Sequence, residues 1–140
     1  MSDKGNDPIT LYGETFNSRF LLGTALYPSP QAMLDSIATS ECDIVTLGLR
    51  RQNPAAHGGE AIWDSIKSSG KKLLPNTAGC RSVKEAVNLA EMSREIFATN
   101  WIKLEVIGDD YNLQPDPFGL VEAAAELIRR GFCVLSVMGG

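Results

Sequence analysis

Residues 44–49 read Ile44-Val45-Thr46-Leu47-Gly48-Leu49, a near-continuous apolar run. This pattern is typical of a strand in a parallel sheet, where both faces of the strand are covered. The preceding segment carries apolar residues at helical spacing between residues 33 and 38, and Ser29-Pro30 supplies a helix cap followed by proline at the first helical position. A buried strand that follows an amphipathic helix indicates the α/β class.

The same alternation continues along the chain. Patterning predicts further strands at 20–23, 72–75, 101–107 and 132–137, and helices at about 30–39, 61–70, 82–97 and 116–131. Five strands joined through helices predict a parallel sheet with right-handed crossovers. Two short strand-like pieces at 9–12 and 14–16 predict a hairpin around Gly13 before the sheet, and residues 1–8 are expected to be a disordered N-terminus. Periodicity alone leaves open whether the sheet is doubly wound or part of a closed barrel.

Composition excludes several function classes. Lys and Arg number 13 against 17 Asp and Glu, without a basic cluster, so nucleic acid is not an expected partner. No apolar run approaches the roughly 20 residues of a membrane helix, and the N-terminus lacks a signal pattern, so we expect a cytoplasmic protein. Cys42, Cys80 and Cys133 are widely spaced and His57 is the one histidine, which argues against a metal site.

The strand predicted at 101–107 contains two charged residues, Lys103 and Glu105. Residues two apart on a strand point the same way, so these side chains should project together, opposite Ile102, Leu104 and Val106. An amine among apolar groups is more readily neutral and can attack a carbonyl, whereas a neighbouring carboxylate favours the ammonium form but can move protons. The pair therefore suits imine chemistry. An edge strand with one solvated face would give the same alternation.

Polar residues follow two of the other predicted strands. Asn76 and Thr77 come directly after the strand at 72–75, at the end of a parallel strand where α/β active sites collect, and could bind substrate. A loop that caps the next helix would have similar residues. Arg50 and Arg51 follow the strand at 44–49 and could hold an acidic substrate or form a solvated pair.

Several ordered motifs give the chain a family resemblance. It resembles bacterial thiazole synthase, the (β/α)8 barrel enzyme that makes the thiazole phosphate of thiamine. The resemblance covers residues 11 to about 135 and is carried by Arg19-Phe20-Leu21-Leu22-Gly23-Thr24, Val45-Thr46 leading to Arg50-Arg51, Leu73-Leu74-Pro75-Asn76-Thr77-Ala78-Gly79, Trp101-Ile102-Lys103-Leu104-Glu105-Val106 and Leu113-Gln114-Pro115-Asp116-Pro117.

The resemblance implies a reaction and its participants. Lys103 matches the lysine that forms an imine with 1-deoxy-D-xylulose 5-phosphate, and Glu105 matches a glutamate associated with acid-base steps. The other reactants implied are dehydroglycine (2-iminoacetate) and a thiocarboxylated sulfur-carrier protein, with no metal or other cofactor. Family members are homo-oligomers.

The resemblance also implies that residues 9–140 form the first part of a TIM barrel, about five strands of eight, without the later glycine-rich phosphate loops. We therefore expect the 140-residue chain alone to be inactive and prone to self-association. Two other readings stay open. One is an aldolase-type lyase that also uses a strand-borne lysine, and the other is a non-catalytic fragment that retains an oligomer surface.

Overall fold

A parallel sheet with its crossover helices organises the computed structural model, which describes residues 7–49, 59–109 and 111–136. In chain order the elements are β1 (Ile9–Leu11), β2 (Glu14–Phe16), β3 (Leu21–Gly23), α1 (Pro30–Ser40), β4 (Ile44–Gly48), α2 (Gly59–Ser68), β5 (Lys72–Asn76), α3 (Val83–Phe97), β6 (Trp101–Leu104), α4 (Pro117–Arg129) and β7 (Cys133–Ser136). The sheet follows chain order, β3-β4-β5-β6-β7, and β1 and β2 form a separate antiparallel hairpin. The predicted α/β class, parallel sheet and N-terminal hairpin are confirmed.

The helix cap predicted at Ser29 is present, and Ser82 and Asp116 cap two further helices. The Ser29 hydroxyl accepts a hydrogen bond from the N–H of Ala32, and the Ser82 hydroxyl accepts one from the N–H of Glu85, both at 3.1 Å. Asp116 caps α4 by accepting from the N–H groups of Phe118 and Gly119. These caps fix where the chain leaves the carboxyl edge of the sheet and enters a helix.

The two faces of the sheet are covered differently. Alternate strand residues, among them Val45, Leu73 and Ile102, pack against the helices in two apolar clusters. The opposite face carries Ile44, Leu74 and Trp101, which pack against Phe16 of the hairpin. The four helices of the described ranges thus lie on one face, and the hairpin covers the amino-terminal part of the other.

Polar contacts hold the hairpin against the sheet. The Asp43 carboxylate accepts from the N–H groups of Asn17 and Ser18 at 2.7 and 2.9 Å. Lys72 forms an ion pair with Glu14 at 2.9 Å, and its ammonium lies 4.8 Å from the centre of the Trp101 ring. These contacts of the hairpin lie at the amino-terminal half of this face.

The sheet ends earlier in β6 than the sequence predicts. The sequence predicts a strand at 101–107, but β6 stops at Leu104, and Ile107 instead makes an isolated antiparallel bridge to Pro115. The partner strand β5 ends at Asn76, so the main chain beyond Leu104 bonds to loops: Ile107 N–H donates to the carbonyl of Cys80, and Asp116 N–H to that of Val106. Within the described ranges, no helix is long and apolar enough to cross a membrane.

Candidate functional site

A cleft of about 200 Å³ opens at the carboxyl edge of the sheet. Residues from the ends of β3, β4 and β5 and from the segment after β6 form it; those lining it are Gly23, Thr24, Ala25, Thr46, Leu47, Gly48, Asn76, Ala78 and Glu105. Strand register brings them together, because Gly23 is paired with Thr46, and Gly48 with Asn76. In parallel α/β folds this edge is where catalytic residues converge.

Lys103 and Glu105 lie side by side next to this cleft. The Lys103 amine is 3.7 Å from a carboxylate oxygen of Glu105, and about a third or less of each side chain is exposed. Ile102, Leu104 and Val106 are fully buried on the helix face, which confirms the predicted alternation. Since β6 lies between β5 and β7, the alternative of a solvated edge strand is wrong. Lys103 does not itself line the cleft; Glu105 connects the two.

Thr77 does not line the cleft, where a contact with substrate would require it to lie. Its side chain is fully buried, and its hydroxyl accepts from the N–H of Glu105 at 2.8 Å and donates to the Glu105 carbonyl at 2.7 Å. Thr77 N–H also donates to the carbonyl of Lys103 at 3.2 Å. The hydroxyl therefore bonds to the main chain of a site residue and does not face the cleft.

Asn76 remains at the cleft and is paired with Lys103 across the sheet. Its side-chain carbonyl oxygen, Oδ1, accepts a hydrogen bond from the N–H of Ala78 at 3.1 Å, which shapes the turn after β5. Among the described residues, none accepts a hydrogen bond from the Asn76 side-chain NH2 group, so its donors can bind a ligand. Substrate contact by Asn76 stays a prediction.

The cleft is also lined by Thr24 and Thr46, which the sequence does not mark as candidate site residues. Thr24 follows β3, and its buried hydroxyl donates to the carbonyl of Thr46 at 2.9 Å. A threonine directly after an apolar strand, as in Phe20 to Gly23 followed by Thr24, is the signal that could have indicated this. Arg50 and Arg51, which could hold an acidic substrate, lie outside the described residues, as does His57. The described part of the chain holds no group of three or more side chains suited to a metal ion.

A second, outer cleft of about 490 Å³ lies between α3 and α4 and carries a charge network. Glu126 and Glu91 both accept from Arg130, which ties the two helices together. The hydrogen bond from Arg130 lowers the pKa of Glu126, and the bond to Glu126 raises the pKa of Arg130. Desolvation opposes ionisation of Glu91, but bonds from Arg94 and Arg130 outweigh it and lower its pKa. These charges are mutually satisfied, so the carboxyl edge is the better candidate site.

The family model described as "Thiazole biosynthesis protein ThiG" matches residues 10–139. The chain belongs to the ThiG family. It is 57% identical over 129 residues to the thiazole synthase of Burkholderia lata, covering 92% of this chain and 48% of that protein. The thiazole synthases of Brucella anthropi and Neisseria meningitidis are 55% and 56% identical, with 93% and 91% of this chain covered. The chain thus spans about half the length of these ThiG relatives.

A solved structure supports the ThiG fold. The crystal structure of the Amycolatopsis orientalis BexX/CysO complex contains a chain that superposes with a TM-score of 0.70 over 92% of this chain and 52% of that chain, at 23% identity. This likeness concerns the fold.

Proposed function

We propose that this chain carries the imine-forming part of a thiazole synthase. In the proposed reaction, 1-deoxy-D-xylulose 5-phosphate, dehydroglycine and sulfur from a thiocarboxylated sulfur-carrier protein give the thiazole phosphate of thiamine, without a metal or other cofactor. The main observation is the Lys103–Glu105 pair at the carboxyl edge of the sheet, in a chain of the ThiG family. The same proposal implies a cytoplasmic enzyme.

The proposed chemistry assigns a role to each member of the pair. The neutral amine of Lys103 attacks the sugar carbonyl and forms a carbinolamine, which loses water to give the imine. The Glu105 carboxylate carries one proton from the attacking nitrogen to the carbonyl oxygen as the carbinolamine forms and a second from that nitrogen to the departing hydroxyl, so the net products are imine and water. Asn76 is proposed to orient the substrate from the cleft.

The architecture supports a closed barrel as the setting of this chemistry. Strand order follows chain order and all four helices lie on one face, whereas doubly wound sheets reverse strand order and carry helices on both faces. We propose that the five strands are part of a TIM barrel and that the enzyme is a homo-oligomer. The similar solved structure is a complex of two proteins, BexX and CysO, which supports the proposal that this chain also acts with a second protein, here the sulfur carrier.

Borohydride trapping tests the proposal directly. The chain is incubated with 1-deoxy-D-xylulose 5-phosphate and borohydride, digested, and mapped by mass spectrometry. Reduction of the imine leaves a stable secondary amine, so the sugar phosphate mass should appear on Lys103. The chain is then assayed for thiazole phosphate with dehydroglycine and thiocarboxylated carrier.

Two other lysines are matched controls within the same sample. Lys72 also projects from the inner face of the sheet but is paired with Glu14, and Lys84 is exposed on the outer helix α3. Neither should be labelled above background. Labelling of Lys72 or Lys84 equal to that of Lys103 would contradict the assignment, because it would indicate unselective reaction with exposed amines.

A further inference from the structure

We propose that Thr77 is a positioning residue whose hydroxyl holds the main chain of Glu105, so that the Glu105 carboxylate stays beside the Lys103 amine. The catalytic consequence rests on the proposed function, whereas the geometry stands without it. Thr77 lies outside the cleft and touches neither charged group with its hydroxyl. Its effect is exerted through Glu105.

The Thr77 hydroxyl replaces a main-chain carbonyl in the hydrogen-bond ladder between β5 and β6. Thr77 N–H donates to the carbonyl of Lys103, as a ladder residue does. In a regular parallel ladder the Thr77 carbonyl would then accept from the N–H of Glu105. The chain turns away after β5 instead, and that carbonyl accepts from Cys80 at 3.1 Å. The side chain fills the vacated role, because its hydroxyl accepts from Glu105 N–H at 2.8 Å and donates to Glu105 O at 2.7 Å.

The relative strengths of the contacts indicate that the Thr77 hydrogen bonds, and not the ion pair with Lys103, fix the position of Glu105. A partly exposed ion pair contributes little to stability, and the amine and carboxylate are 3.7 Å apart, beyond hydrogen-bond length. Two buried hydrogen bonds contribute more to stability, and removing the hydroxyl would leave the buried N–H and carbonyl of Glu105 without these partners, which carries a desolvation cost. Thr77 is fully buried, so water does not easily replace it. Its branched Cβ also restricts the rotamer that aims the hydroxyl.

The first measurement concerns the main-chain contact and needs no substrate. Amide hydrogen exchange of Glu105 is compared in the parent chain, Thr77→Val and Thr77→Ser, with circular dichroism to verify folding. Valine keeps the shape without the hydroxyl, so exchange at Glu105 should accelerate at least tenfold, whereas serine should remain near the parent. Ser93→Ala, which removes a buried hydroxyl bonded to Ala90 in α3, is the matched control and should leave Glu105 unchanged.

The second measurement tests whether Thr77 acts through the Glu105 carboxylate. Reductive methylation with formaldehyde and cyanoborohydride is followed at Lys103, relative to exposed Lys84. Glu105→Gln should speed methylation of Lys103 by about two- to fivefold, the range of a partly exposed ion pair. Thr77→Val should act in the same direction, Thr77→Ser should not, and Thr77→Val should add nothing in the Glu105→Gln background.

Each result decides the proposal. It is overturned if Glu105 N–H in the parent exchanges as fast as in an unstructured peptide, or if Thr77→Val alters Lys103 equally with and without the carboxylate. If Thr77→Val fails to fold, the parent exchange rate and Thr77→Ser still decide. Trapping with 1-deoxy-D-xylulose 5-phosphate separates the two proposals. If the parent is not labelled but Lys103 is methylated at the relative rates predicted for the single and double variants, the proposed function is refuted and the positioning role of Thr77 is retained.

Discussion

At position 103, lysine and arginine would carry the same charge but differ in chemistry. Lys103→Arg keeps a cation near Glu105, so the fold should be retained, yet a guanidinium stays protonated at neutral pH and cannot attack a carbonyl. We expect both Lys103→Arg and Lys103→Ala to lose borohydride-trapped sugar phosphate to below detection. Lys72→Arg, which changes the inner-face lysine paired with Glu14, should remain labelled at Lys103. A labelled Lys103→Arg chain would place the nucleophile elsewhere.

Glu105→Gln removes proton transfer but leaves the nucleophile. Positioned acid-base groups contribute roughly 10²–10⁴-fold, which exceeds the modest gain from releasing the amine from its ion pair. We therefore expect sugar imine formation, measured by quenching with borohydride at short times, to slow by at least about tenfold while some Lys103 is still trapped. Trapping as fast as in the parent would make Glu105 a structural partner only.

Among the elements, α4 has an unusually constrained first turn. A Cβ on Gly119 would lie 2.6 Å from a carboxylate oxygen of Asp116 and 3.3 Å from a methyl of Val106. Gly→Ala in a helix usually stabilises by up to about 1 kcal/mol. Here we expect Gly119→Ala to destabilise by about 1–2 kcal/mol, because the methyl displaces the capping carboxylate. Urea unfolding measures this, and in an Asp116→Ala background the penalty should largely disappear.

The contact between α3 and α4 should depend on pH in a defined direction. The pKa of Glu126 is lowered below its ordinary value of 4.5, chiefly by the hydrogen bond from Arg130. A lowered folded-state pKa stabilises the fold above the unfolded pKa, and this contribution is lost as pH falls through the folded value. Glu126→Gln should therefore destabilise at pH 7 and match the parent well below pH 4.5. Urea unfolding across this range tests it, with exposed Glu122→Gln as the control.

Helix starts could be predicted from the sequence because the determining contacts are local. The hydroxyl of Ser82 and the carboxylate of Asp116 bond to N–H groups two or three residues away, so short motifs suffice. The end of β6 could not be predicted in this way. It depends on where β5 ends, at Asn76, and on contacts such as that of the Thr77 hydroxyl with Glu105, 28 residues away in sequence. The site pair could be predicted because alternation along one strand places Lys103 and Glu105 together.

For the whole molecule, Trp101 couples the hairpin to the sheet. Tyr12 and Phe16 contact its ring edge-on, with centroid distances of 5.8 and 5.6 Å. Trp101 begins the strand that carries Lys103, so the hairpin packs at one end of β6 and the candidate site lies at the other. The hairpin and the candidate site thus lie at opposite ends of the inner face of the sheet.

Tyr12 also protects a main-chain edge of the described sheet. Cys133 N–H donates to Asn100 on the β6 side, so Val134 directs its groups to the opposite side. There the Tyr12 hydroxyl donates to the Val134 carbonyl at 2.6 Å and accepts from its N–H at 2.9 Å. An unpaired strand edge is a template for association. In this chain the Tyr12 hydroxyl therefore occupies the main-chain groups of Val134, which a neighbouring strand would pair in the proposed barrel.

Tyr12→Phe should keep the ring contact with Trp101 but lose both hydrogen bonds to Val134. We expect the free energy of unfolding of the 140-residue chain to fall by about 1–2 kcal/mol, since each bond contributes roughly 1 kcal/mol and the edge regains partial hydration. Light scattering at equal concentration should show greater self-association than in the parent. Tyr111→Phe removes a hydroxyl from a fully exposed tyrosine and should change neither quantity. If both variants behaved alike, the bonds to Val134 would not protect the edge, and the association of the chain would depend on other surfaces.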